Sequence, residues 1–316
     1  MRKSAELETA EYFLPVSNFA IERPRAFSSL IQIDFGAISD VGKVRSNNED
    51  AFLIFRTGRY WQRLMTNVQE GLLPERHEEN GYAMAVADGM GGLAAGEVAS
   101  SLALVTVVNL MLSSVKWALK LDHPELREEE IREGLDRAVD YLSKADLAIH
   151  NRAEANIALG GMGTTLTASY SFGDDLFIFH VGDSRAYLLR NGRLSRLTRD
   201  HTVAQALADA GGIPQEDVAG HRLKHVLTRA MGRHGGNVEV EIHHLKLANQ
   251  DQLLLCTDGL TDLVRDEQIA EVLIRNDASQ EKCRTLIDRA LQGGGRDNAT
   301  VLIAQYRIPS PEEVGV

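Results

Sequence analysis

The chain has 316 residues, 44% of them hydrophobic and 25% charged, which suits a globular protein with one large core or two small ones. Its 34 lysines and arginines against 45 aspartates and glutamates leave a formal charge of −11. That balance argues against a general affinity for nucleic acid or an anionic membrane, so any phosphate-bearing ligand must be held locally. Cys256 and Cys283 form no C-x-x-C pair and sit in apolar contexts, as core thiols of a reducing interior do. The opening MRKSAELETAE carries acids where a signal peptide needs an apolar run. The longest apolar stretch, Leu102 to Leu112, contains Thr106 and Asn109 and falls short of a bilayer span. A cytoplasmic location without membrane attachment is expected.

Residues 1–30 show no sustained period, carry Pro15 and Pro24 among mixed charges, and read as an extension outside the core. From Ile31 the short alternating segments IQIDFGAISD, AFLIF and YAMAVA predict strands separated by Gly, Asn and Asp turns. Residues 56–80, rich in charge, are long for a hairpin loop and predict an insertion at a sheet edge. Two helices follow. Residues 94–115 are apolar nearly all round, which predicts burial on most sides. Residues 128–152 place Ile131, Leu135, Val139, Leu142, Ala145 and Ile149 on one stripe.

Strand patterns return with TLTASY, LFIFHV, AYLL, VEVEIHH, LLLC and TVLIAQ. Asp277 and Gln280 have capping-box spacing ahead of a helix that Gly293 stops. Strands come in meander-like groups and helices in pairs, with no β-α-β alternation. The fold class is therefore α+β, with helices packed on antiparallel sheets.

The segment GMGGLA, with Gly89, Gly91 and Ala94, matches a dinucleotide fingerprint after a strand. Asp88 would set a negative charge against the pyrophosphate, and no acid for a ribose stands about 20 residues on. No G-K-[ST] follows, so a P-loop fails as well. The glycines fit better a backbone that turns sharply beside a cation bound by Asp88. Other acids repeat this placement: Glu49 and Asp50 before a strand, Asp258 after LLLCT, Asp262 one helical turn on, Asp297 with Asn298 before TVLIA, and Asp183 in HVGDSRAY at a turn between two strands. Gathering carboxylates at strand tips is costly unless something neutralises them. If Asp50, Asp88, Asp258 and Asp297 converge, their all-oxygen set suits Mg2+ or Mn2+ rather than zinc. The adjacent His243 and His244 should face opposite ways on their strand. Arg45, just ahead of these acids, offers a fork that fits phosphate.

Taken in order, RSNNED, VADGMGG, MGTTL, VGDSRAY, CTDGLTD and GGRDNAT resemble the metal-dependent Ser/Thr protein phosphatases of the type 2C (PPM) family, bacterial branch, from about Ile33 to Gln305. The resemblance implies a four-layer α-β-β-α sandwich, two central antiparallel sheets flanked by pairs of helices, with a binuclear Mn2+ or Mg2+ site at one end. It implies a catalytic domain over 31–308 and a tail over 309–316. By the same likeness Asp50, Asp88, Asp258, Asp297 and the Gly89 carbonyl would hold two ions. Glu49 and Asn298 would stand behind them, Glu49 holding metal-bound water, and Arg45 would bind the substrate phosphate. A metal-bridging water would attack phosphoserine or phosphothreonine directly. Asp183, Ser184 and Arg185 read as a structural turn held by an ion pair.

Some relatives carry a histidine where Met90 stands, so metal-bound water is the default proton donor. A weaker third ion is implied too. Residues 158–162 offer it no carboxylate, while Asp262 stands on its other side. Residues 200–236 correspond to the family's variable flap, expected to choose among protein substrates. Phosphorylated proteins and a cognate Ser/Thr kinase are the expected partners of a monomer. Two other functions compete: a two-metal hydrolase of non-protein phosphoesters, and a non-catalytic phosphoprotein-binding relative.

Overall fold

A computed structural model of the chain describes residues 26–310, apart from 70, 92–94, 115–118, 120, 122–126 and 234. Most of the expected N-terminal extension and residues 311–316 of the tail lie outside the described residues. The elements are α1 (Phe27–Leu30), β1 (Gln32–Asp40), β2 (Asp50–Gln62), β3 (Arg76–Met90), α2 (Ala95–Ser113), α3 (Arg127–Glu154), β4 (Gly163–Thr164), β5 (Leu166–Phe172), β6 (Asp175–Val181), β7 (Arg185–Arg190) and β8 (Arg193–Arg196). They continue with α4 (Val203–Asp209), β9 (Glu241–Lys246), β10 (Gln252–Cys256), α5 (Asp258–Thr261), α6 (Asp266–Ile274), α7 (Ser279–Gln292) and β11 (Ala299–Arg307).

Two antiparallel sheets form, with strand orders β1-β11-β10-β7-β8 and β2-β3-β5-β6-β9, and β4 pairs with the end of β3. Helices α2 and α3 cover the second sheet, while α6 and α7 cover the first. The apolar run at β10 follows from this layering. Leu253 and Leu255 point between the sheets with Met84, Val86, Ile178 and Leu302, while Leu254 and Cys256 point at α6 and α7 with Ile269 and Leu286. A strand with helices on one side and a sheet on the other has no face left for polar residues. Cys256 and Cys283 are both buried thiols without a disulfide, and burial pushes each up to about 12.

Several expectations change. Helix α2 is 19 residues long, long and apolar enough by length and composition to cross a membrane, so the shorter stretch 102–112 understated it. Its burial is one-sided. Ala95, Ala99 and Ala103 pack on the second sheet, while Val105 is 54% and Leu112 75% exposed. Small residues let the helix approach β3, whose Ala85 and Ala87 face it. The segment 56–80 is strand at both ends, over 56–62 and 76–80. β2 and β3 stay paired out to Gln62 and Arg76, and β2 is an edge strand as expected. The tip carries exposed Trp61, Leu64 and Met65.

The predicted capping box ahead of α7 is replaced by a tertiary cap. Ala278 is the N-cap, and Asp34 on β1 accepts from Ser279 N at 2.7 Å. Gln280 brackets Ala37 on the same strand at 3.0 and 3.1 Å. Gly293 does end α7. His243 and His244 face opposite ways, toward Glu241 and Asp175 respectively.

Candidate active site

The β2–β3 register sets Asp50 directly opposite Asp88, so two acids 38 positions apart meet on one sheet end. From the other sheet, Thr257 follows β10 and Asp258 opens α5, while Asp297 and Asn298 precede β11. Asp50 Oδ2 accepts from Thr257 Oγ1 at 2.9 Å and Thr300 Oγ1 at 2.6 Å, which stitches the two sheets together. Its other oxygen, Oδ1, is buried and has no partner among the described residues. Burial pushes the Asp50 carboxyl up to about 7, against the two threonine hydrogen bonds and with Asp258 and Asp297 adding to the rise. Asp88 is also held well above the carboxylate range, by burial and then by Asp50, Asp258, Asp183 and Asp297.

Backbone geometry explains the glycines. A Cβ on Gly89 would lie 2.1 Å from Gly96 O and 2.7 Å from Glu49 O, so only glycine lets β3 end against the start of α2. Gly89 N donates to Glu49 O at 3.2 Å, and Thr164 Oγ1 and Thr165 N both donate to Asp88 O at 2.9 Å. Behind the acids, Asn298 fixes the loop that carries Arg45. Its Oδ1 accepts from Glu49 N at 2.8 Å, and its Nδ2 donates to Val41 O and Asn47 O, each at 2.9 Å. Glu49 lines the cleft between the sheets, whose volume is about 640 Å³. Arg45 Nη2 lies 2.6 Å from Asp297 Oδ2, and that bond raises the guanidinium's pKa further.

Every predicted residue therefore reaches one end of the sandwich. Asp50, Asp88, Asp258 and Asp297 converge with Gly89 and Asn298, and Arg45 faces them from the rim. Asp262 also lines the cleft. Two features escaped the sequence reading. Asp183, read as part of a structural turn, lies beside Asp258, and its carboxyl is pushed well up by burial, Asp258 and Asp200. Its neighbour Arg185 pairs with Asp200, through 2.9 and 2.7 Å bonds. The flap inserts Lys224 and His225 into the cleft. His225 spans Asp258 at 3.3 Å and Asp262 at 3.2 Å, and Lys224 Nζ reaches Asp262 at 2.9 Å. Bonding to Asp258 raises the His225 pKa, against partial burial. The position of Asp183 in VGDSR, the same strand-end placement as the other acids, was the available signal. For His225 the local signal was its H-x-x-x-H spacing from His221.

The family model of protein phosphatase 2C matches residues 54–299. The serine/threonine phosphatase stp of Listeria monocytogenes is 35% identical over 267 residues, covering 84% of this chain and 93% of its own length. The serine/threonine protein phosphatase PstP of Mycobacterium tuberculosis is 40% identical over 238 residues, 74% of this chain and 43% of PstP. A crystal structure of the PstP catalytic domain in complex with two manganese ions superposes with TM-score 0.66 at 34% identity, covering 88% of this chain and 99% of that one. The chain belongs to the protein phosphatase 2C family. The match starts beyond Arg45, Glu49 and Asp50, which the fold itself brings to the matched acids.

Proposed function

We propose that this chain is a protein serine/threonine phosphatase that hydrolyses phosphoserine and phosphothreonine with the help of two hard divalent cations, Mn2+ or Mg2+. The observation that carries the reading is the unpartnered buried Asp50 Oδ1, set among Asp88, Asp258 and Asp297, where Arg45 and His225 pair with Asp297 and Asp258 but no cation pairs with Asp50 or Asp88 among the described residues. An oxygen-only donor set missing a counter-charge fits such ions, and Asp50, Asp88, the Gly89 carbonyl, Asp258 and Asp297 would hold them. When bound, the ions supply Lewis-acid polarisation of the phosphoryl group and a nucleophilic water at neutral pH.

The chain's own residues do the positioning. Thr257 and Thr300 orient Asp50, Asn298 locks the loop that presents Arg45, and the Arg45 guanidinium offers its fork to the phosphate. The kinship with phosphatases named for serine and threonine favours phosphoproteins over other phosphoesters, and so a Ser/Thr kinase as the opposing enzyme. All these groups come from one chain, so a monomer suffices. The two buried unpaired thiols support the cytoplasm as its compartment. The purified chain should release phosphate from a phosphothreonine peptide with added Mn2+, and lose that activity both with chelator and in Asp258→Ala. Full turnover in Asp258→Ala would overturn the site.

A further inference from the structure

We infer that the cleft selects phosphoproteins whose modified residue is flanked by acidic side chains, through Arg296 on one wall and Arg233 on the other. The inference rests on the phosphatase reading and adds a substrate class to it. Of the cations that line the cleft, Arg45, Lys224 and His225 are each engaged by a site carboxylate. Among the described residues lining it, Arg296 is the one cation without a carboxylate partner, although it adjoins Asp297 in a chain of net charge −11. It enters from the loop before β11, on the side of the first sheet. Its exposed side chain lies against Gly294, where an added Cβ would sit 3.7 Å from Arg296 Cγ.

Arg233 enters from the other side, at the end of the flap. Its guanidinium lies 3.8 Å from the sulfur of Met90, the cleft residue that ends β3, and it too has no acid partner among the described residues. The backbone around it is fixed. Asp146 on α3, fully buried, accepts from Gly232 N at 2.5 Å and Gly236 N at 2.6 Å, and Met231 exchanges two bonds with Thr164 at 2.9 and 3.1 Å. An extended peptide rises about 3.3–3.6 Å per residue. With its phosphate on Arg45, such a peptide would leave the cleft past one sheet and then the other. Residues a few places before and after the phosphorylated one would meet these two guanidiniums. Carboxylates there gain an ion pair on each wall, and lysines or arginines are repelled.

The test uses the full chain with Mn2+ and three phosphothreonine peptides that differ only in flanking Glu, Ala or Lys, with p-nitrophenyl phosphate as a substrate that has no flanks. For the Glu peptide kcat/KM should exceed that for the Ala peptide by about ten-fold at low salt, each exposed pair contributing about two- to five-fold, and the excess should shrink with added NaCl. Arg296→Ala and Arg233→Ala should each reduce the Glu-to-Ala ratio about two- to five-fold without changing p-nitrophenyl phosphate turnover. Arg296→Lys should restore most of the ratio, since a point charge suffices at an exposed site.

A wild-type ratio near one, or a ratio unmoved in both alanine variants, would overturn the inference. So would an equal fall with p-nitrophenyl phosphate in Arg296→Ala, which would assign that residue to the phosphate itself. No turnover of any substrate would instead overturn the phosphatase reading, and this one with it.

Discussion

Asp251 and Asp50 are both carboxylates drawn into this fold, and their surroundings are opposite. Asp251, 1% exposed just before the central strand β10 of the first sheet, sits in the fork of Arg190, with bonds of 2.9 and 2.5 Å, and also accepts from Ala248 N. Asp200 has Arg185 in the same way, and Asp175 has Arg127, His244 and Lys246. Burial pushes the Asp175 carboxyl up, yet these cations hold it below its ordinary value. At the tips of β2 and β3, the Asp50 carboxyl meets two threonine hydroxyls, and both it and Asp88 otherwise face acids, Asp258 and Asp297 among them, so their carboxyls are driven up. The protein supplies a cation to Asp251, Asp200 and Asp175 and withholds one from the pair at the strand tips. That missing charge is the physical signature of a metal centre.

The contrast breaks if a site acid behaves like a structural one. Asp258→Ala should lower turnover with Mn2+ by at least about 10³-fold while leaving far-UV circular dichroism unchanged. Unfolded chain bought with that activity loss would move Asp258 into the structural class. pH should separate the classes next. Asp50 holds its proton to about 7 in the fold but releases it near 3.8 when unfolded. Between those values the metal-free fold therefore binds more protons, and its stability falls as pH rises. The loss from this group is on the order of 4 kcal/mol.

His180, lowered to about 4 by burial and by His201, opposes that trend because it loses stability as pH falls below 6.5. Glu79, Glu241 and Asp175, all with lowered pKa values, lose their contributions only on further acidification, below 4.5 for the two glutamates and below 3.8 for Asp175. Urea titrations of metal-free wild type and Asp50→Asn at several pH values isolate the Asp50 part. A flat difference between the two curves would contradict the assignment.

Arg190→Ala leaves Asp251 buried and unpaired, and should cost about 2–3 kcal/mol in urea unfolding. The value is set below that of a fully buried pair because the Arg190 side chain is 38% exposed. Specific activity should be unaffected. Saturating Mn2+ should stabilise the wild type by about 2.7 kcal/mol at a hundred times Kd, and chelator should reverse it. The same gain in Asp88→Asn would place the ions elsewhere. The smallest effect belongs to Lys224→Ala at the flap, where both partners are partly exposed and the pair with Asp262 contributes under about 1 kcal/mol of stability.

Much of the site was legible because each ligand candidate stands where an apolar strand meets glycine or asparagine, a local pattern that needs no knowledge of contacts. The α+β class followed similarly from meander-like strand groups and paired helices. Other features were not local. Apolarity all round α2 did not reveal that only its alanine face is covered, because helix burial depends on which neighbours the fold provides. The spacing of Asp277 and Gln280 suggested a cap within one helix, whereas β1 crosses close enough for Asp34 to supply it. Asp183 shares the strand-end placement, but only the approach of β7 beside β10 sets it next to Asp258.

Residue order alone determined the acid-rich strand tips, the glycines that permit close backbone approach and the absence of soft metal ligands among them. Tertiary structure decided which acids share a charge-deficient pocket, through the register that faces Asp50 with Asp88 and the threonines that tie one sheet to the other. It also decided that Lys224 and His225 reach that pocket. The reason is physical: a strand pattern is set by side chains next to each other in the chain, whereas the electrostatic energy of a carboxylate is set by whatever lies within a few ångströms of it in space.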